Sequence, residues 1–212
     1  MATLDDLEKA VTDGELETVE ELTQRALDEG TEAVSITDTA LIQGLNRAGD
    51  LFEQCDFFVP EMLIAAQAME GGMNLLRPLL AAGDYEPLGK VVMGTVEGDL
   101  HDIGKKLVSM MLEGRGFEVV DVGVDVPAQR FVDAVEESGA TLVGLSTLLT
   151  TTMPSMQETV RLLRENDPNQ RIRVMIGGAP ITPAYAEEIG ADGAAANATQ
   201  AANLACSLIE KS

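Results

Sequence analysis

Residues 90–108 read KVVMGTVEGDLHDIGKKLV. After Lys90 the next six are β-branched or apolar, the pattern of a strand buried on both faces, and the last six carry the period of a helix. Between them lies a glycine-flanked loop holding His101, the one histidine of the chain, two residues after Asp99 and three before Gly104. Four further runs repeat the strand pattern, each followed by helical periodicity: FEVVDVG (117–123), TLVGLST (141–147), RVMIGGA (173–179) and a weaker DGAAAN (192–197). Apolar strands alternating with helices predict a doubly wound, five-stranded parallel sheet over 87–212. In such sheets ligands bind beyond the carboxyl ends of the strands, near the switch point in strand order. The histidine loop leaves the carboxyl end of the first strand, so the fold itself places it at a ligand site.

Residues 1–86 have a different texture. TLDDLEKAVTDG, ELETVEELTQRALDEG, TEAVSITDTALIQGLNRAGDLFEQ and VPEMLIAAQAMEGGMNLLRPLLAAG carry apolar residues at three- and four-residue intervals. Gly14 and Gly30 are natural helix stops, and Pro60 falls in a first turn, where its missing N–H costs nothing. These features predict a four-helix bundle as an N-terminal domain, joined to the α/β domain by a short Gly, Asp and Pro linker at 83–89.

The whole chain has 212 residues, 14 Lys and Arg against 36 Asp and Glu, and a formal charge of −22. That field repels phosphate backbones and anionic lipid, which excludes nucleic acid and membrane surfaces as expected partners. No apolar run is long enough to span a bilayer, and the acidic MATLDDLEKA start lacks the pattern of a signal peptide, so a cytoplasmic location is expected. Cys55 and Cys206 fit no metal or redox spacing and read as reduced thiols.

A lone histidine near a helix start is commonly a solvated or capping residue. Here Asp99 is placed to accept from one ring nitrogen, leaving the other free for a metal, the carboxylate–histidine arrangement that orients metal ligands. Asp102 is placed to cap the helix beginning at Ile103. With one His and no paired thiols the chain cannot assemble a zinc site, so any metal on His101 must arrive with its other ligands, as in haem or a corrinoid. Small residues end the third and fourth strands on the same edge, in GLST (144–147) and IGGA (176–179). Ser146 is placed to complete a Ser, Asp, His relay.

GDLHDIGKKLV, GLSTLLTTTM and IGGAP together resemble the corrinoid-binding signature of cobalamin-dependent methyltransferases, Asp-x-His-x-x-Gly followed by Ser-x-Leu and Gly-Gly. LFEQCDFFVPEMLIAAQAME is similar to the helical cap of that family, so the resemblance spans nearly the whole chain. It is nearest to the small corrinoid proteins of methanogen and acetogen methyl-transfer systems. The implied fold is a helical cap on a flavodoxin-like, cobalamin-binding α/β domain. The implied cofactor is cobalamin or a related corrinoid, cycling through methylcobalamin, Co(II) and Co(I) states, with His101 as axial cobalt ligand and released when Co(I) forms. Asp99 would bond His101, with Ser146 extending the relay. Asp102, Ile103 and Gly104 would border the cofactor. Leu148, Thr150, Gly177 and Gly178 would line the slot for its nucleotide tail. Phe52 and Val59 of the cap would shield the upper face, Val59 standing where some relatives carry Leu. The small, polar GAAANATQAA is a departure at the last strand.

The resemblance implies a methyl carrier with no catalytic residue of its own. A substrate:corrinoid methyltransferase would load it, a methylcorrinoid:acceptor methyltransferase would unload it to a thiol or tetrahydrofolate, and a reductive activation protein would restore it. A cap swinging about residues 83–89 would expose the methyl group. A cobalamin-dependent sensor is the alternative, and it calls for an output element such as a basic helix, which the sequence lacks. A response-regulator domain lacks its phosphoacceptor Asp in GLSTLL, and a dinucleotide site lacks G-x-G-x-x-G after the first strand.

Overall fold

The structure, a computed structural model, describes residues 4–81, 86–169 and 171–210. The chain divides into two compact units, one of residues up to 87 with the turn 113–116, the other of 88–112 and the residues from 117 on. Residues 83–85 of the expected hinge lie outside the described residues.

The first unit is helical. It contains α1 (Leu4–Thr12), α2 (Leu16–Asp28), α3 (Ala33–Ile36), α4 (Ile42–Glu53) and α5 (Val59–Ala81), with a π turn over Thr37–Leu41 carrying α3 into α4. Counting α3 to α4 as one interrupted helix, these are the four amphipathic segments of the sequence. Gly14 and Gly30 adopt φ of 73° and 86°, the left-handed conformation that ends a helix without a Cβ clash. The core is aliphatic: Leu7, Val11, Val19, Leu41, Leu45, Met62 and Leu76 are buried. At the start of α5, Glu61 accepts the Phe58 N–H at 2.9 Å, half of a capping box.

The second unit alternates β1 (Gly89–Thr95), α6 (Ile103–Glu113), β2 (Phe117–Asp121), α7 (Ala128–Ser138), β3 (Leu142–Ser146), α8 (Met153–Asn166), β4 (Arg173–Gly177), α9 (Pro183–Ile189), β5 (Gly193–Ala195) and α10 (Ala198–Ile209). All five strands pair parallel in the order β2-β1-β3-β4-β5. The step from β1 to β2 runs opposite to the later steps, so right-handed crossovers put α6 on one face and α7, α8 and α9 on the other. On the second face Val92, Val143, Leu145, Val174 and Ile176 meet Phe131, Val135, Met156, Val160 and Leu163 in one buried cluster. The first face is covered by α10, whose Leu204 and Ile209 lie against Gly193 and Gly89. Because the order reverses at β1, the loops leaving β1 and β3 emerge side by side at the carboxyl edge. That edge is where the histidine loop begins.

Candidate functional site

Asp99 organises this edge. Its carboxylate is fully buried, yet every oxygen is served. Oδ1 accepts the His101 N–H at 3.0 Å and the His101 Nδ1–H at 2.7 Å. Oδ2 accepts the Thr147 hydroxyl at 2.9 Å, the Leu148 N–H at 2.7 Å, the Leu149 N–H at 3.3 Å and the Thr152 hydroxyl at 3.2 Å. Burial alone pushes this carboxyl up, but the N–H groups of His101 and Leu148, the His101 ring and the Thr147 hydroxyl hold it well below the usual carboxylate range. A carboxylate only accepts, so in the neutral imidazole the proton sits on Nδ1 and the lone pair on Nε2. The His101 side chain is 51% exposed, which leaves Nε2 accessible.

The backbone of the loop is held as well. Thr95, buried at the end of β1, donates its hydroxyl to the His101 carbonyl at 2.9 Å. Thr95 and the two threonines on Asp99 are site residues that no sequence motif singled out. The relay expected from Ser146 runs instead through Thr147 and Thr152. Strand side chains alternate, so Ser146 follows Gly144 to the face opposite Leu145 and lies in register with Thr95 and Gly177. The hydroxyls one and six residues further on reach Asp99, and they also bond each other at 2.5 Å. The TLLTTT run carried the signal for this, since a threonine-rich loop after a strand offers hydroxyls to a buried anion.

Asp102 does its work from the side chain differently from the expected cap. Its carbonyl accepts the Lys106 N–H at 2.8 Å, as the first bond of α6, while its carboxylate pairs with the Lys106 ammonium at 2.5 Å. That pairing lowers the Asp102 pKa. Gly177 and Gly178 lie directly beside the threonines: the Thr147 N–H donates to the Gly177 carbonyl at 3.1 Å. Gly178 has φ of 134°, and a Cβ there would come within 1.6 Å of the Thr147 carbonyl oxygen, so only glycine fits. Thr150 is exposed at the head of the short turn Thr150–Thr152. In the helical unit, Phe52 and Val59 are half-buried at opposite sides of the turn between α4 and α5, and Phe58 between them is 64% exposed.

The donor set fits a metal that brings its own ring. Among the described residues no group of three or more His, Cys, Asp or Glu is arranged to hold an ion. His101 offers one oriented nitrogen, and its surroundings are open and apolar: Leu100, Ile103 and Leu148 are 71%, 66% and 45% exposed. A Cβ on Gly104 would meet nothing within 4 Å. Large apolar side chains held in solvent around a single ligating nitrogen suit a flat macrocycle laid on this edge.

Comparison with known proteins agrees with this chemistry. A family described as B12 binding domain matches residues 89–203, and a second of the same description matches residues 3–77. A corrinoid protein of Desulfitobacterium hafniense is 38% identical over 214 residues, covering 100% of this chain and 99% of the relative. Dimethylamine corrinoid protein 2 of Methanosarcina acetivorans is 46% identical over 171 residues, 80% of this chain and 79% of the relative. Among solved structures, the methanol:cobalamin methyltransferase complex from Methanosarcina barkeri superposes with a TM-score of 0.89 at 30% identity, over 97% of this chain and 79% of that chain. The helical unit, the α/β unit and the Asp99–His101 loop thus have one common explanation: the chain belongs to the B12-binding corrinoid proteins of methyl-transfer systems, whose cofactor is of the cobalamin type.

Proposed function

We propose that this protein carries a methyl group between two methyltransferases, with His101 as the axial ligand to cobalt. The observation that supports this reading above all is the Asp99–His101 pair, which protonates Nδ1, aims the ring and leaves Nε2 as the one accessible donor. When bound, the corrinoid supplies a cobalt ion able to accept and release a methyl group. Asp99 holds a proton at Nδ1 whether or not Nε2 is engaged, and Thr147, Thr152 and two backbone N–H groups keep Asp99 ionised and still. Asp102, Ile103 and Gly104 would border the cofactor. Leu148, Thr150, Gly177 and Gly178 would line the slot for the nucleotide tail, with Ser146 at the end of β3 beside Gly177. By the resemblance of the helical unit to the cap of the family, Phe52 and Val59 would shield the upper face.

A substrate:corrinoid methyltransferase loads the carrier from a small methylated donor, a reading supported by the similar chain found in a methanol:cobalamin methyltransferase complex. A second methyltransferase unloads it to a thiol or tetrahydrofolate, and a reductive activation protein restores the cofactor after oxidation. The setting is the cytoplasm. The names of similar proteins make dimethylamine and methanol the first donors to try.

The test is reconstitution of the full chain with hydroxocobalamin, comparing absorption spectra of wild type and His101→Ala. The wild type is expected to retain corrinoid through gel filtration with a His-dependent spectrum, and His101→Ala to lose that spectrum. Identical spectra would remove His101 from the metal. Demethylation of the methylated carrier by a thiol- or tetrahydrofolate-dependent methyltransferase then checks the direction of transfer.

A further inference from the structure

The segment from which the site hangs is gripped by a second loop, the one leaving β2. Beyond Asp121 the chain keeps pairing with β1 in a broken register: the Val122 N–H donates to the Met93 carbonyl at 2.8 Å, the Thr95 N–H to the Gly123 carbonyl at 3.0 Å, and the Val126 N–H to the Thr95 carbonyl at 3.0 Å. Between Gly123 and Val126 the chain bulges, and Asp125 at its tip is left-handed, with φ of 53°. That conformation turns the residue toward the histidine loop. Its Oδ1 accepts the Gly98 N–H at 2.7 Å, and its own N–H donates to the Asp99 carbonyl at 2.9 Å.

These two bonds hold the Gly98–Asp99 segment at both ends. Gly98 is itself left-handed, with φ of 85°, in the turn after β1 that the Asp99 N–H closes onto the Val96 carbonyl at 3.1 Å. One bond within the loop closes that turn, and the two Asp125 bonds brace it from a second loop. Asp99 meets six donors that come from two different loops, so a shift of its Cα would break several bonds together. We propose that Asp125 is a positioning residue for His101: by fixing Gly98 and Asp99 it sets where the Asp99 carboxylate stands and hence where the imidazole points. The inference rests on the reading of His101 as the cobalt ligand.

Two substitutions separate the acceptor from the backbone conformation. Asp125→Asn keeps an oxygen for the Gly98 N–H and tolerates the left-handed region, whereas Asp125→Gly tolerates it without the acceptor. Amide hydrogen exchange is measured on the full chain without cofactor, and the His-on fraction from the absorption spectrum after loading with hydroxocobalamin. In Asp125→Gly the His101 N–H, which Asp125 does not touch, is expected to exchange roughly tenfold faster, the loss of about one charge-assisted hydrogen bond. The His-on fraction falls with it, and Asp125→Asn restores both. An Asp125→Gly protein that melts lower yet keeps the wild-type His101 exchange and spectrum overturns the proposal, because Asp125 is then only part of the scaffold. A wild-type chain that takes up no hydroxocobalamin overturns the corrinoid reading instead, and the exchange comparison still decides whether Asp125 fixes the loop.

Discussion

Asp99 carries six hydrogen bonds in a fully buried position, and its charge is the reason they can all be made. Three of the donors that it meets are backbone N–H groups that cannot reverse their direction. Replacing it by Asn turns one oxygen into an NH₂ that must face donors on either side. Asp99→Asn is therefore expected to cost about 1–3 kcal/mol in denaturant unfolding, the range for stranding a buried donor, and to lower the His-on fraction of the loaded protein. The pH dependence follows from the depressed carboxyl. A carboxyl held below its ordinary range adds stability that is complete above that range and is lost only as pH falls through the depressed value. The stability gap between wild type and Asp99→Asn should thus be flat from neutrality down to about pH 4 and shrink below it. A gap that closes near neutrality would show that another group carries the effect.

At the scale of elements, two devices fasten the helices. In the helical unit, α1 and α4 approach so closely that a Cβ on Gly44 would lie 2.6 Å from the Glu8 carbonyl oxygen and from Val11 Cβ. Thr12, also buried, donates its hydroxyl to the Gly44 carbonyl at 3.0 Å across the same contact. Ala in place of Gly within a helix ordinarily gains up to about 1 kcal/mol. Here the clash is with backbone, which cannot step aside, so Gly44→Ala is expected to reverse the sign and destabilise by about 1–3 kcal/mol. Equilibrium urea unfolding of the full chain reads the outcome. In the α/β unit, Lys105 of α6 is 2% exposed and forms an ion pair with Asp121 at the end of the edge strand β2. Lys106, one residue on, lies at the surface with Asp102. The pair ties the helix that follows the histidine loop to the strand that leads into the Asp125 loop.

The molecule as a whole carries a formal charge of −22, with its few cations mostly spent on ion pairs such as Arg161 with Glu158 and Glu165. On the proposed function, such a surface would steer basic patches on a partner methyltransferase toward it. Association with a loading methyltransferase is expected to slow by about tenfold or more between about 0.1 and about 1 M salt, as the screening length falls from about 10 to about 3 Å. A stopped-flow rate indifferent to salt would assign the acidity to solubility alone. Among the described residues no helix is long and apolar enough to cross a membrane.

The amino-acid sequence by itself determined the parts set by local pattern. Four β-branched runs and the weaker DGAAAN became the five strands within a residue or two, four periodic stretches became the helical unit, and the two-residue spacing of Asp99 and His101 sufficed to join carboxylate and ring. Only the tertiary structure decided which hydroxyls hold Asp99. Ser146 was the choice by motif, but Thr147 and Thr152 make the bonds, because the end of β3 and the turn after it set which side chains point back across the sheet edge. Thr95 and Asp125 were hidden for the same reason. Their partners lie in a loop whose path is fixed by strand order and by left-handed residues, and neither leaves a period in the sequence. Contacts made along the chain are written in spacing, whereas contacts made across a parallel sheet edge exist only once the strands have found their neighbours.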